Sequence, residues 1–393
     1  GMELDCGVAT TYSLNMDTLL TIPLQLIFAT AGNHKELITD GVALLSALRE
    51  ATGRISVFCQ KGGIHVPSRD HILYPLLEGM IHQAEAPGGG AFHPKVWLLR
   101  FTSPQDNAVH HRLMISSRNI TASRAWDVSL TLDGTPTGNV QDSNRQLAEL
   151  IEALPELTDA EVDQERASAI RSLAEEVRTT RWELPEGYRS VEFHLTGVNG
   201  RKWRPPGCRA ITVVSPFLTG TALRKLYNTA PPEGRALLST QESLDAIDPK
   251  VLQYFSRIVT LHDDAVTVEQ DEDEETEGLE ETPSSLHAKI YPYSRYSTTH
   301  VVLGSANATS PALVSGANVE LMAELRGRTD RIGSPMDILA PETGLGDLLV
   351  DYTPGEREAE QEEAQQVEDL LDRAQKQLTR TDLSLHCRKT DDA

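Results

Sequence analysis

His93-Pro94-Lys95 opens the apolar run Val96-Trp97-Leu98-Leu99, and Ser117-Arg118-Asn119 closes the next such run, Arg112-Leu113-Met114-Ile115. The pattern returns as His287-Ala288-Lys289 ahead of Ile290-Tyr291, with Ser305-Ala306-Asn307 after His300-Val301-Val302-Leu303. Each His-x-Lys is expected on a strand and each Ser-x-Asn at the end of the next one. Side chains two apart on an extended chain leave by the same face, so each His points with its Lys. Polar groups at a strand end can meet a ligand without lying in the core. One His-x-Lys carries little information. Two copies with the same sequel predict a duplicated fold whose halves share a single phosphate-handling site.

These motifs resemble those of the phospholipase D superfamily, whose signature is His-x-Lys, four residues, Asp, then Gly-Ser-x-Asn. The second copy carries Gly304-Ser305-Ala306-Asn307 in full, the first has Ser116 for the glycine, and the expected aspartates are replaced by Arg100 and Ser294. Loss of that Asp with His, Lys and Asn kept is similar to the tyrosyl-DNA phosphodiesterase branch. The resemblance covers the motifs and their strands, about a quarter of the chain. It implies an α/β fold of two phospholipase D-like repeats, each a mixed β-sheet flanked by helices, with the active site at their interface. It also implies that an acidic residue hydrogen-bonds each motif histidine, and Asp127 and Glu320 match by position.

At 393 residues the chain is long enough for two domains with real cores. The organisation expected is an N-terminal repeat at 2–155, a connecting helix at 156–185 and a C-terminal repeat at 186–350. A formal net charge of −22 argues against a nucleic-acid binder at first sight. Much of it, however, is concentrated in an acidic loop at 263–282 and in the stretch from Glu356 to Asp372, and removing both leaves a body nearer neutrality. The acidic loop suits a solvated segment, or one that competes with nucleic acid for a basic cleft. Cys6, Cys59, Cys208 and Cys387 lie far apart with no Cys-x-x-Cys pair, so no zinc site or disulfide framework is expected. Without a long apolar run or a basic leader, the expected setting is soluble and cytoplasmic, with no membrane partner.

Along the first half, Leu37–Glu50 is expected as a helix, Arg54–Gln60 as a strand and Tyr74–Ala84 as a helix. Gln146–Leu154 and Thr158–Thr179 follow as helices, the second opening on the capping-box pattern Thr158-Asp159-Ala160-Glu161. Val191–Leu195 is expected as a strand. The loop after it sets Arg201, Lys202 and Arg204 around Trp203, a set able to grip phosphates and stack a base. The second half then alternates strand and helix up to His287. An amphipathic helix at 353–380 is expected at the end, either docked on its own domain or pairing with a partner protein or a second copy.

Two His, two Lys and two Asn supply what a phosphodiester requires of an enzyme that uses no metal or other cofactor. One imidazole attacks phosphorus and the other protonates the leaving oxygen. The lysines, helped by Asn119, Asn307, Ser117 and Ser305, are expected to hold the non-bridging oxygens. By the resemblance, His93 is the nucleophile and His287 the acid. The expected function is a metal-independent phosphodiesterase, a nuclease acting on nucleic acid with DNA favoured over RNA, in defence or repair. The alternatives are a phospholipase or transphosphatidylase, and a non-catalytic phosphate-binding assembly module. His110 and His111 are placed on the surface.

Overall fold

The computed structural model describes residues 2–30, 41–67, 69, 71–262, 265, 285–341 and 344–355, with 370, 374, 377, 378 and 381 beyond them. Of 26–30 and 41 only the backbone is described. Residues 1–354 form one compact unit and those from 355 onward another. The acidic loop at 263–282 and the helix expected at 353–380 therefore fall, apart from a few positions, outside the described residues.

Glu3–Thr11 (β1) starts the first sheet, followed by the short Leu14–Asn15 (β2) and the helices Met16–Thr30 (α1) and Gly41–Arg54 (α2). Ile55–Gln60 (β3) returns parallel to β1. All but the last of its residues are buried, as expected for a parallel strand covered on both faces. Ile64–His65 (β4) pairs with β2, and Ile81–Ala84 (β5) lies parallel to β3. On the other side of β1 come Val96–Thr102 (β6), Val109–Ser116 (β7), Ser129–Pro136 (β8) and Thr180–Trp182 (β9), all antiparallel. The sheet order is β5-β3-β1-β6-β7-β8-β9. Between β8 and β9 stand the helices Arg145–Ala153 (α3) and Gln164–Arg178 (α4).

The second sheet repeats that plan. It contains Tyr188–Thr196 (β10), Ala210–Val214 (β11), Arg235–Leu238 (β12), Arg257–Leu261 (β13), Ile290–Arg295 (β14), Thr298–Gly304 (β15), Glu320–Arg328 (β16) and Leu349–Asp351 (β17). Reading inward from β13, the order β13-β12-β11-β14-β15-β16-β10 matches the first sheet strand for strand, with β17 added beyond β13. Strand directions match as well: β11, β12 and β13 are parallel, and β11-β14-β15-β16-β10 alternate. The helix Gly220–Tyr227 (α5) forms the crossover from β11 to β12. The fold is thus the α/β pair of mixed sheets with flanking helices that the duplicated motif implies.

Strand alternation sets the layers. Val96 and Leu98 of β6 enter one core together with Leu321, Ala323 and Leu325 of β16, so the two sheets share it. Trp97 and Leu99 face the opposite way, toward α1 and α2, and Met322 faces the core beneath α5. The helices α1 and α2 cover the far face of the first sheet and α5 that of the second, while α3 and α4 contribute their apolar faces to the core that the two sheets share.

Two expectations change. The stretch Tyr74–Ala84 is two short 3₁₀ turns, Tyr74–Leu76 and Glu78–Met80, followed by β5. Its apolar spacing suits a helix, but Ile81–Ala84 is taken up as the partner of β3. The helix expected from Thr158 begins at Gln164, capped by the Asp163 carboxylate, which accepts from Glu165 N and Arg166 N. Thr158 instead bridges to Ala84 at the edge of the first sheet.

Candidate active site between the halves

Both His-x-Lys triplets sit in the extended run-in to their strands, β6 and β14, one step before the ladder begins. Equivalent backbone bonds hold them to the neighbouring strand, Ser116 N to Lys95 O (3.0 Å) and Gly304 N to Lys289 O (3.3 Å). Just ahead of each triplet the chain crosses to the other half. His93 N donates to Val319 O (3.0 Å) and Val319 N to Ala91 O (2.9 Å). With the halves exchanged, Trp126 N donates to Ser285 O (3.0 Å) and His287 N to Trp126 O (2.9 Å). Each histidine is thereby laid against the residue that precedes the other half's acid.

The acids are exchanged between the halves. His93 Nδ1 lies 2.8 Å from Glu320 Oε2, and His287 Nδ1 lies 2.7 Å from Asp127 Oδ1. A carboxylate only accepts, so Nδ1 carries the proton in both imidazoles and Nε2 is left for chemistry. Ser305 Oγ donates to Glu320 Oε2 (2.6 Å) and Ser117 Oγ to Asp127 Oδ1 (2.6 Å). Each hydroxyl also accepts from the backbone, from Leu321 N (3.1 Å) and Val128 N (2.9 Å). Its one proton is committed to the carboxylate. The role expected for the serines, holding phosphate oxygens, is therefore corrected: they hold the acids. Burial pushes His93 down to about 4, the nearby Lys95 and Lys289 push the same way, and Glu320 opposes them. His287 is lowered too, first by burial, with Asp127 opposing.

Lys95 and Lys289 are 2 % and 0 % exposed. Each Nζ donates to the carbonyl of its own histidine, His93 O at 3.1 Å and His287 O at 2.6 Å. Among the described residues neither ammonium has a carboxylate at ion-pair distance. Burial holds Lys95 well below its ordinary range, with repulsion from Lys289 adding, and burial pulls Lys289 down to about 7. Two buried amines whose positive charges oppose each other gain their protons most readily against an anion, which offsets both the burial and the repulsion. Asn119 Oδ1 accepts from Tyr12 N (3.3 Å), and Asn307 keeps a buried Oδ1 without a partner among the described residues. The arrangement has two imidazoles for covalent and acid–base work and two ammonium groups for the charge of a phosphoryl group.

The loop after β10 is elsewhere. Trp203 is 7 % exposed, packed against Tyr291 with ring centroids 5.5 Å apart, so stacking a base on it is ruled out by its place in the core. Arg201 pairs with Glu149, Lys202 and Arg204 are exposed, and no contact among the described residues ties the three to the motif histidines. His111 is also corrected. It is buried at 1 %, with Nδ1 2.8 Å from Thr180 Oγ1 and Nε2 3.1 Å from Glu176 Oε2, whereas His110 is exposed. Arg100, at the expected aspartate position, bonds Glu176 (2.7 Å) and Asp5 (2.6 Å) and serves the scaffold. Among the described residues no three His, Cys, Asp or Glu gather as metal ligands, and no helix is long and apolar enough to cross a membrane.

Sequence reasoning missed two neighbours of the site. The ring of Tyr12 meets the His93 ring edge-on at 5.2 Å, and Lys95 Nζ lies 6.0 Å from its centroid. Its only signal was an aromatic in a polar cluster at the end of β1. Asn318 bonds Glu320 and had no signal beyond standing two residues before that acid.

A search for protein families finds no match, and no curated protein matches the sequence. Among solved structures the chain is similar to yeast tyrosyl-DNA phosphodiesterase, at 12 % identity over 84 % of each chain with a TM-score of 0.46. It is similar to phosphatidylserine synthase of Haemophilus influenzae, at 9 % identity over 96 % of this chain and 90 % of that one, TM-score 0.40. It is similar to polyphosphate kinase of Porphyromonas gingivalis, at 13 % identity over 82 % of this chain and 43 % of that one, TM-score 0.39. These likenesses assign no substrate to this chain.

Proposed function

We propose that the chain is a phosphodiesterase of the phospholipase D type that hydrolyses nucleic acid through a phosphohistidine. The observation that carries this reading is the pair of buried, mutually repelling lysines bracketed by two imidazoles, each with its Nδ1 proton directed to a carboxylate. His93 Nε2 forms a bond to phosphorus while the bond from phosphorus to the leaving oxygen breaks, and a proton from His287 Nε2 passes to that oxygen. His287, now neutral, takes a proton from water. The water oxygen bonds to phosphorus, the bond from His93 Nε2 to phosphorus breaks, and the starting state returns. Lys95, Lys289 and the two amides hold the non-bridging oxygens as charge builds. His93 is the better nucleophile because it is the more buried of the two and is kept neutral. His287 has a side chain 24 % exposed against 12 % for His93, and exchanges protons with solvent more readily.

Nucleic acid is favoured over lipid by the aspartate-less motifs and by Arg118 and Arg124, exposed on the chain that runs from the first Ser-x-Asn to Asp127. The test is cleavage of labelled single-stranded and duplex DNA and RNA in EDTA by the wild type and by His93→Ala. Cleavage by the wild type alone is the expected result. Turnover of a lipid phosphodiester with no cut in any nucleic acid would replace the substrate and keep the chemistry.

A further inference from the structure

The reacting set is two-fold symmetric, so it cannot by itself distinguish a nucleophile from an acid. The distinction has to come from residues that break the symmetry. One of these stands two positions before each acid: Asn318 before Glu320, and Ala125 before Asp127.

Asn318 Oδ1 accepts from Ala91 N (2.9 Å), two residues ahead of His93, and its Nδ2 donates to Glu320 Oε1 (3.2 Å). Chain that only glycine permits presses on its backbone. A Cβ at Gly90 would lie 2.8 Å from Asn318 N, and one at Gly197 would lie 2.1 Å from Asn318 O. Glu320 consequently has both oxygens bonded, Oε2 by His93 and Ser305 and Oε1 by Asn318. Ala125 has no side-chain donor to offer Asp127. The Glu320 side chain is 0 % exposed and that of Asp127 15 %. A carboxylate bonded on both oxygens neither rotates nor takes the imidazole's proton.

We propose that Asn318 is the positioning residue that separates the roles of the two histidines: by clamping Glu320 it keeps the proton on His93 Nδ1 and presents Nε2 as nucleophile, while Ala125 leaves the Asp127–His287 pair able to pass protons. The inference rests on the phosphohistidine reading above.

The test is Asn318→Asp, which keeps an acceptor for Ala91 N and removes the donor to Glu320 at constant shape, so the seam between the halves survives. Two readouts are taken on protein with ¹⁵N-labelled histidine. The imidazole nitrogen shifts of His93 should show one tautomer, protonated at Nδ1, in the wild type and a mixture or imidazolium in N318D across neutral pH. In single turnover of a nucleoside p-nitrophenyl phosphodiester, whose leaving group needs no acid, N318D should slow the nitrophenolate burst roughly 10- to 100-fold with little change in KM. A folded N318D with unchanged His93 shifts and an unchanged burst overturns the proposal. A wild type with no burst sinks the phosphodiesterase reading alone, and the His93 shifts still decide for or against Asn318.

Discussion

His93 and Glu320 lie on opposite halves of a duplicated fold, and the 2.8 Å bond between Nδ1 of one and Oε2 of the other is repeated, with the halves exchanged, by His287 and Asp127. Neither half can orient its own histidine. A half expressed alone would carry an imidazole without its acid, and an acid held by a serine with nothing to orient.

That exchange makes the two acids separable by experiment. In Asp127→Asn the affected histidine is His287, which is needed in both steps but least for a good leaving group. The expected outcome with a p-nitrophenyl ester is a preserved burst and a slowed second step, with acid-labile radiolabel accumulating on His93. Glu320→Gln should suppress the burst itself. The same phenotype from both variants would refute the division of labour.

Removal of either imidazole, as in His93→Ala or His287→Ala, should lower kcat on a natural phosphodiester by several powers of ten. Gel assays with and without EDTA check this, and activity lost to the chelator in the wild type would count against the mechanism.

Lys289 sits at about 7 in the folded protein against 10.5 when unfolded. Between those values the unfolded chain holds a proton that the folded site lacks, so the lysine opposes folding less as pH rises from 7 toward 10.5. Lys95 acts in the same direction. An anion reverses the balance: inorganic phosphate should bind more tightly as pH falls through 7 and should take up protons when it does. Calorimetry in buffers of different ionisation enthalpy reads that uptake, and its absence at pH 8 would contradict the buried-lysine site.

Gly90→Ala should damage the seam, because its Cβ would meet Ala317 O at 2.3 Å and Asn318 N at 2.8 Å, both backbone atoms. Activity should fall together with the melting temperature. Gly53→Ala is the control: a Cβ there meets nothing within 4 Å, it lies in α2, and the change should be neutral or stabilise by up to about 1 kcal/mol. Differential scanning calorimetry of the two variants checks the contrast.

Away from the site, Glu324 accepts from His194 (2.6 Å), His300 (2.7 Å), Arg326 (2.8 Å) and Tyr293 (3.1 Å). Burial opposes its charge, but these partners hold the carboxyl far below the usual carboxylate range. A depressed folded value gives stability that is present above about pH 4.5 and lost as pH falls below it. Glu324→Gln should lower stability by roughly 3 kcal/mol near neutrality and by less in acid. Denaturant melts at two pH values measure the difference.

Both acids were named only by the resemblance of the motifs to a known family, while the sequence by itself determined the duplication, the pairing of each His with its Lys and the Ser-x-Asn that follows. These are local properties, set by the two-residue repeat of extended chain and by polar residues at strand ends. The tertiary structure alone decided which acid serves which histidine, since a two-fold arrangement allows pairing within a half or across it and spacing is the same for both. It also turned the serines to the carboxylates, because the pairing of β7 with β8 and of β15 with β16 brings the backbone N–H of Val128 and Leu321 to their oxygens. Trp203 and the stretch 81–84 were misjudged for a related reason. A tryptophan among basic residues, and apolar residues at helical spacing, each satisfy a local pattern, while burial against Tyr291 and pairing with β3 are contacts made across many residues of chain.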